Sequence, residues 1–410
     1  MSSFFDPAAS WGMSKRSRRT ALRTIRQSRS DRPSNEVPVL RASSIPDLLG
    51  SVPALFGFHP QRSLAVLTMK GKRIGFRART DLPAPAYADA CAHNLMGSIL
   101  AQRARPDGVL LVAYVDPASD ADACGEDRVA ADSLVEAMRT RLTDERIEVR
   151  EAVCCDGSRY WSYLCNDERC CPSEGTPYSI ESTSTMANAV FNGLEVLPDR
   201  EALARRFDPP DGERREHMEE VAQSVVEEIA KEHGIFLGGS KVSDRFHRRR
   251  TELLRAGAVY VEGVLGDIGP SEDTPGPLRG VGIAEALDDE TAARLMVWTR
   301  LLPVRDLAWS FITDANAPEH LALWTAVAGR AIRPFEPAPL CLAGFSAWLA
   351  GDGAQALCAL RRASEVAPRS YSLVGLLMDL LERAVPPSAW REFDEATIRA
   401  PFGLRANDGP

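Results

Sequence analysis

The hydrophobic pattern of this 410-residue chain changes character once, near Pro177, and that change restricts what the chain can fold into. Up to that point short apolar runs of strand type interleave with amphipathic helical stretches, and beyond it the only sustained period is that of the α-helix. Ser44 caps and Pro46 opens a short helix, after which Ser63 to Met69 (SLAVLTM) reads as a strand. Lys70-Gly71-Lys72 is a tight turn and Arg73 to Thr80 its hairpin partner, with Arg77 and Arg79 alternating against Phe76 and Ala78. Two helix and strand pairs follow: Tyr87 to Arg103 with Gly108 to Val115, then Glu126 to Leu142 with Arg146 to Cys155. The run GVLLVAYV is apolar throughout, which fits a strand covered on both faces. A last strand, Arg159 to Leu164, comes after the Asp156-Gly157 turn, and the order predicts an α/β domain with a mixed sheet over residues 37–180.

The remainder is expected to be helical: a connector over 181–270, a break at Ser271 to Pro277 (SEDTPGP), a bundle over 278–391 and a tail over 392–410. Five of the seven tryptophans fall between Glu285 and Trp390. Within that stretch Gly351-Asp352-Gly353-Ala354-Gln355-Ala356, followed by Leu360, Ala363 and Pro368, resembles the second helix of a tetratricopeptide repeat, where small residues let two helices approach. One such unit is short of an array, so the expectation is a bundle of helical hairpins with tetratricopeptide-like packing. Gly238-Gly239-Ser240-Lys241 lacks the first glycine of a phosphate-binding loop and reads as a linker.

A net charge of −8 hides an asymmetry, since residues 1–35 carry eight Lys and Arg against two Asp. That makes residues 1–36 a basic leader without apolar periodicity, expected to be disordered. Such an arm attracts nucleic-acid phosphates or acidic surfaces; a plain solvated leader, or a start at Met13, is the simpler reading. No apolar run approaches the 18 or so residues that span a bilayer, and no short apolar signal core stands at the N-terminus. Nine cysteines in a long chain do not form the framework of a secreted mini-domain, so a cytoplasmic setting is expected, with protein partners at the helical half.

Several stretches together, LLGSVPALFGFHPQRSLAVLTM, RTDLP and RYWSYLCNDERCCPSEGTP, with AWLAGDGAQALCAL and PPSAW near the end, resemble the actinomycete family called domain of unknown function 4192. The resemblance spans about residues 40–391. It implies a shared fold unit and brings no activity, cofactor or catalytic residue with it.

Five cysteines, Cys154, Cys155, Cys165, Cys170 and Cys171, cluster at the seam between the two patterns. Zinc takes four N or S ligands, commonly from C-x-x-C knuckles, and here the spacing is C-C followed by C-x4-C-C. Adjacent cysteines on a strand face opposite ways, so at most one of the first pair can join the others. A zinc site of Cys154, Cys165, Cys170 and Cys171, plain buried thiols, and a disulfide or redox pair all remain open. Asp116 and Asp156 each follow a strand, and if those strands are parallel neighbours the two carboxylates, with Arg159, form a candidate metal or phosphate site. Asp-Pro and Asp-Gly are also ordinary turn formers. His59, on the loop of GFHPQRS, is a candidate base or ligand without a companion at recognisable spacing. The function expected is a binding or regulatory protein; the alternative is a metal-dependent enzyme acting on a phosphorylated or nucleotide-like substrate at the strand ends.

Overall fold

The computed structural model describes residues 44–102, 104–117, 123–191, 196–233, 244–270, 280–383 and 385–403. The basic leader, the Gly238 to Lys241 stretch and the Ser271 to Pro277 linker lie outside the described residues.

The first helix, α1 (Ile45–Phe56), starts where Ser44 accepts the Asp47 N–H (3.2 Å) and ends where Gly57 turns left-handed at φ 76°. That turn delivers the chain to β1 (Ser63–Lys70), paired antiparallel with β2 (Arg73–Asp81) through the expected hairpin. Helix α2 (Ala88–Leu100) leads to β3 (Gly108–Tyr114), which lies antiparallel to β1 on its other side. Helix α3 (Ala123–Asp144) crosses over to β4 (Glu148–Cys155), parallel to β3 with Tyr114 opposite Cys155. β5 (Arg159–Ser162) and the two-residue β6 (Thr176–Pro177) complete a mixed sheet of order β2-β1-β3-β4-β5-β6. The strand expected from Arg146 begins two residues later because Arg146 sits at φ 55° in the turn that leaves α3.

Pleating sends alternate residues to opposite faces. Leu64, Val66, Leu111, Ala113 and Ala152 are buried under α2 and α3, with Ile99, Leu134 and Met138 against them. Ala65, Leu67, Val112, Val153 and Cys155 face the other way, under Leu49, Val52 and Phe56 of α1. That second apolar cluster continues without a break into the C-terminal helices. Helix α4 (Ser184–Phe191) is pinned on α1, where Thr185 Oγ1 donates to Asp47 O (2.9 Å) and Ser184 Oγ to the Asp47 carboxylate (3.0 Å).

The rest of the chain is helical: α5 (Arg200–Arg205), α6 (Gly212–Glu232), α7 (Asp244–Leu265), α8 (Val281–Ala286), α9 (Asp289–Thr299), α10 (Leu302–Ser310), α11 (Ala317–Ala328), α12 (Pro337–Leu349), α13 (Gly353–Val366), α14 (Ser372–Glu382) and α15 (Glu395–Arg399). Helix α12 is the centre of this half, every one of its residues being buried. It approaches α13 so closely that a Cβ on Gly344 would lie 2.7 Å from Leu360 Cγ, and Ala356, Ala359 and Ala363 are fully buried on the facing stripe. The tail turns back at Phe402, which is buried and whose carbonyl accepts from Arg255 of α7 (2.6 Å). No helix among the described residues is long and apolar enough to cross a membrane.

Helix α11 buries His320 completely, and neither ring nitrogen has a hydrogen-bond partner among the described residues. Burial holds the imidazole down at about 3. The ring therefore binds its proton more readily in the unfolded chain, so the folded state keeps its full advantage above the unfolded value of about 6.5 and loses it as the pH falls toward the folded value. His320→Leu removes both the proton site and two unsatisfied nitrogens. Relative to the parent, the variant is expected to gain stability by about 1.4 kcal/mol for each pH unit below about 6.5. Urea unfolding of both proteins at about pH 7 and about pH 5 reads this, and parallel profiles would show that the ring does not titrate in isolation.

Candidate functional site

One opening lies along the outer edge strand. It is a cleft of about 540 Å³ between β2 and the α12 to α14 region. The sheet side contributes Phe76, Arg77, Arg79 and Asp81, with Phe56 and Phe58 from the end of α1. Opposite them stand Trp348, the α12–α13 turn at Gly351 to Ala354, and Pro386 and Pro387 beyond α14. Gly351 at φ 79° makes that turn, and Trp348 fixes the far wall by donating Nε1–H to Val385 O (2.9 Å).

Four arginines line the cleft from three elements: Arg77 and Arg79 on β2, Arg200 on α5 and Arg361 on α13. Arg77 reaches the carbonyl of Leu55, and Arg79 donates to Gln61 O (2.9 Å) and pairs with Asp81 (2.7 Å). Burial pulls the Arg79 guanidinium below its ordinary range; Asp81 works against that shift and the like charge of Arg200 adds to it. Arg77, Arg200 and Arg361 have no ion pair among the described residues. The carboxylates are occupied or peripheral. Asp81 holds Arg79, Asp352 accepts the backbone and side-chain N–H of Gln355 (2.9 Å each), and Glu382 is exposed. Histidine and cysteine are absent from the lining.

A second feature sits at the sheet's opposite end, in the loop between β5 and β6. Ser162 Oγ accepts the N–H groups of Leu164 (3.1 Å) and Cys165 (3.2 Å), and Asp167 O accepts those of Cys170 (2.9 Å) and Cys171 (2.7 Å). The turn around Asp167 folds the C-x4-C-C spacing back on itself and brings the three sulfurs within 4.8 Å of one another. Tetrahedral zinc–thiolate bonds near 2.3 Å need sulfurs about 3.8 Å apart, so the three residues fit a thiophilic metal. The Asp167 backbone N–H, and then the Cys171 thiol, hold Cys165 below the usual thiol range, while the bond to Cys165 pushes Cys171 up to about 12. The loop is tied to α3: Arg128 lies over the Trp161 ring (4.8 Å) and Tyr163 donates to Asp132 (2.7 Å). Gly175, at φ 82°, leaves room for that indole, since a Cβ there would lie 2.6 Å from it.

The other residues singled out by sequence are placed apart. Cys154 lies buried under α2 and α3 and outside the three-cysteine group, because the β4 pleat turns it into the core while the loop continues past the sheet edge. Its thiol is pushed up to about 11 by burial. Cys155 faces the opposite core, and it, Cys154, Cys165, Cys170 and Cys171 all carry free thiols. β3 and β4 are indeed parallel neighbours, yet Asp116 turns toward Arg62 (4.0 Å), which is held by Asp127 (2.7 Å). Asp156 instead accepts the N–H groups of Ser158 (2.8 Å) and Arg159 (2.7 Å), closing its own turn. Arg159 donates to Gly175 O (2.8 Å). His59 is half-buried, with burial lowering its imidazole and Glu181 opposing, and its backbone N–H donates to Leu197 O (2.9 Å).

A mixed sheet whose second face is closed by a large helical half, with a cleft at their junction, is the architecture. The family model described as domain of unknown function (DUF4192) matches residues 46–388, and the chain belongs to that family. No curated protein and no solved structure matches it.

Proposed function

We propose that the protein is a binding or regulatory protein whose ligand enters the cleft between β2 and the α12–α13 turn. The observation that supports this is the cleft itself: an apolar floor with a few convergent polar groups, in the size range of small-molecule sites. The alternative, a metal-dependent enzyme at the strand ends, needs Asp116 and Asp156 in one site, whereas Asp116 faces Arg62 and Asp156 closes its own turn. Ala354→Trp should fill the cleft from its lip. A small molecule is expected to be released on denaturing the untagged parent and to be missing from the variant, read by mass spectrometry. Identical profiles from two equally folded proteins would refute the proposal.

Zinc is the metal proposed for Cys165, Cys170 and Cys171, as a clasp between the last strands and the helical half; the described residues supply no fourth ligand. Elemental analysis should then find stoichiometric zinc, and Cys165→Ser should lose it together with several kcal/mol of stability. A metal-free parent, with a cost of only about 1 to 2 kcal/mol for the variant, would leave plain thiols.

A cytoplasmic setting is proposed as well, with a protein partner at the helical half through the tetratricopeptide-like packing of α12 and α13. The basic leader is proposed as a nucleic-acid arm. Deleting residues 1–36 should abolish salt-dependent binding of a duplex DNA probe in fluorescence anisotropy, and unchanged binding would exclude that role.

A further inference from the structure

The cleft's charge goes further than its shape. We propose that it takes a phosphorylated small molecule, its phosphate held by Arg77, Arg200 and Arg361 and its apolar body laid against the apolar lining around Phe76. The inference rests on the reading of the cleft as a ligand site.

Three guanidinium groups from β2, α5 and α13 converge on one concavity without a carboxylate partner among the described residues. Like charges brought together cost free energy unless an anion joins them, and a guanidinium fork matches phosphate oxygens in two-point contact. The remaining polar wall has the same preference. Gly353 and Ala354, in the first turn of the 14-residue helix α13, line the cleft at the end of the helix where N–H groups lack an intrahelical acceptor, although the Asp352 carboxylate caps Gln355 there. Such donors, at the positive end of a helix, favour negative charge. Arg79 adds charge near the site although Asp81 partly neutralises it. The volume far exceeds what an inorganic phosphate fills, and Phe76, Leu357, Met378 and Leu381, all partly exposed in the lining, supply apolar surface for the rest of the ligand. A neutral apolar ligand would bring no countercharge to Arg77, Arg200 and Arg361, and a polycarboxylate would leave the apolar lining unused.

Phenyl phosphate is a probe that carries both features. By titration calorimetry it should bind the full-length protein more tightly than inorganic phosphate and more tightly than citrate. Arg77→Gln and Arg361→Gln should each weaken it by about tenfold, the loss of one charged hydrogen-bond partner. Arg361 is exposed, so its variant keeps the fold even if loss of the Arg77 bond to Leu55 disturbs α1. Binding that both variants leave unchanged, or citrate binding as tightly as phenyl phosphate, would overturn the proposal. If phenyl phosphate fails to bind while Ala354→Trp still loses a co-purifying neutral molecule, the phosphate assignment falls and the ligand cleft stands. If that variant changes nothing either, both fall together.

Discussion

A six-stranded sheet with apolar side chains on both faces needs two covers, and its own crossover helices supply only one of them. Helices α2 and α3 close the face of Leu64, Val66 and Leu111, while the face of Ala65, Leu67 and Val112 is closed by α1 and a cluster that runs on into α5 to α14. Exposing that second face would forfeit roughly 25 cal/mol for each Å² of apolar surface. The helical half is therefore the other side of the sheet's own core. The position of the cleft follows from this constraint. It opens where the covering helices reach the edge strand β2, whose outer side has no partner strand, so that two sets of side chains meet across a gap.

How much of this can be read in sequence depends on the range of the interaction responsible. The β1–β2 hairpin is legible because alternation and the Lys70 to Lys72 turn are local, and the buried β3 because an unbroken apolar run has few other homes. The boundaries shift by a few residues where a single dihedral decides, as at Arg146. The cleft is illegible for the opposite reason: its walls come from residues 55–102, 200 and 348–387, and no local pattern announces that they meet. One signal was available. Leu55, Phe56 and Phe58, Arg79-Thr80-Asp81, the turn at Gly351 to Ala354 and Pro386-Pro387 all lie in the stretches that carry the family resemblance, and all line the cleft.

The reactive-looking residues teach a different lesson about local chemistry. Asp156 follows a parallel strand, as a strand-end ligand should, but the Gly157 turn directly after it offers the Ser158 and Arg159 N–H groups at hydrogen-bond distance, and the carboxylate caps them. Turn-forming preference wins because its partners are two and three residues away and cost no chain closure. The cysteine spacing shows the converse. C-x4-C-C lacks the usual knuckle, yet one Asp167-centred turn converts it into a group of three thiols, while period-two pleating turns Cys154 into the core.

Arginines gathered at one cleft with Asp81 as their one ion-pair partner among the described residues are costly to a free protein, which is an argument about function as well as stability. Arg79 shows that cost in a proton affinity lowered by burial, with the like charge of Arg200 adding to it. A ligand that binds only the folded state would offset such a cost, stabilising that state with the logarithm of its concentration above Kd. Helix α12, buried along its whole length, fixes the turn at Gly351 to Ala354, and the pairing of β2 with β1 fixes Arg77 and Arg79. The arginines of β2 and the turn before α13 are thus carried by elements anchored in the core, and the proposed anion would meet donors whose positions are largely set.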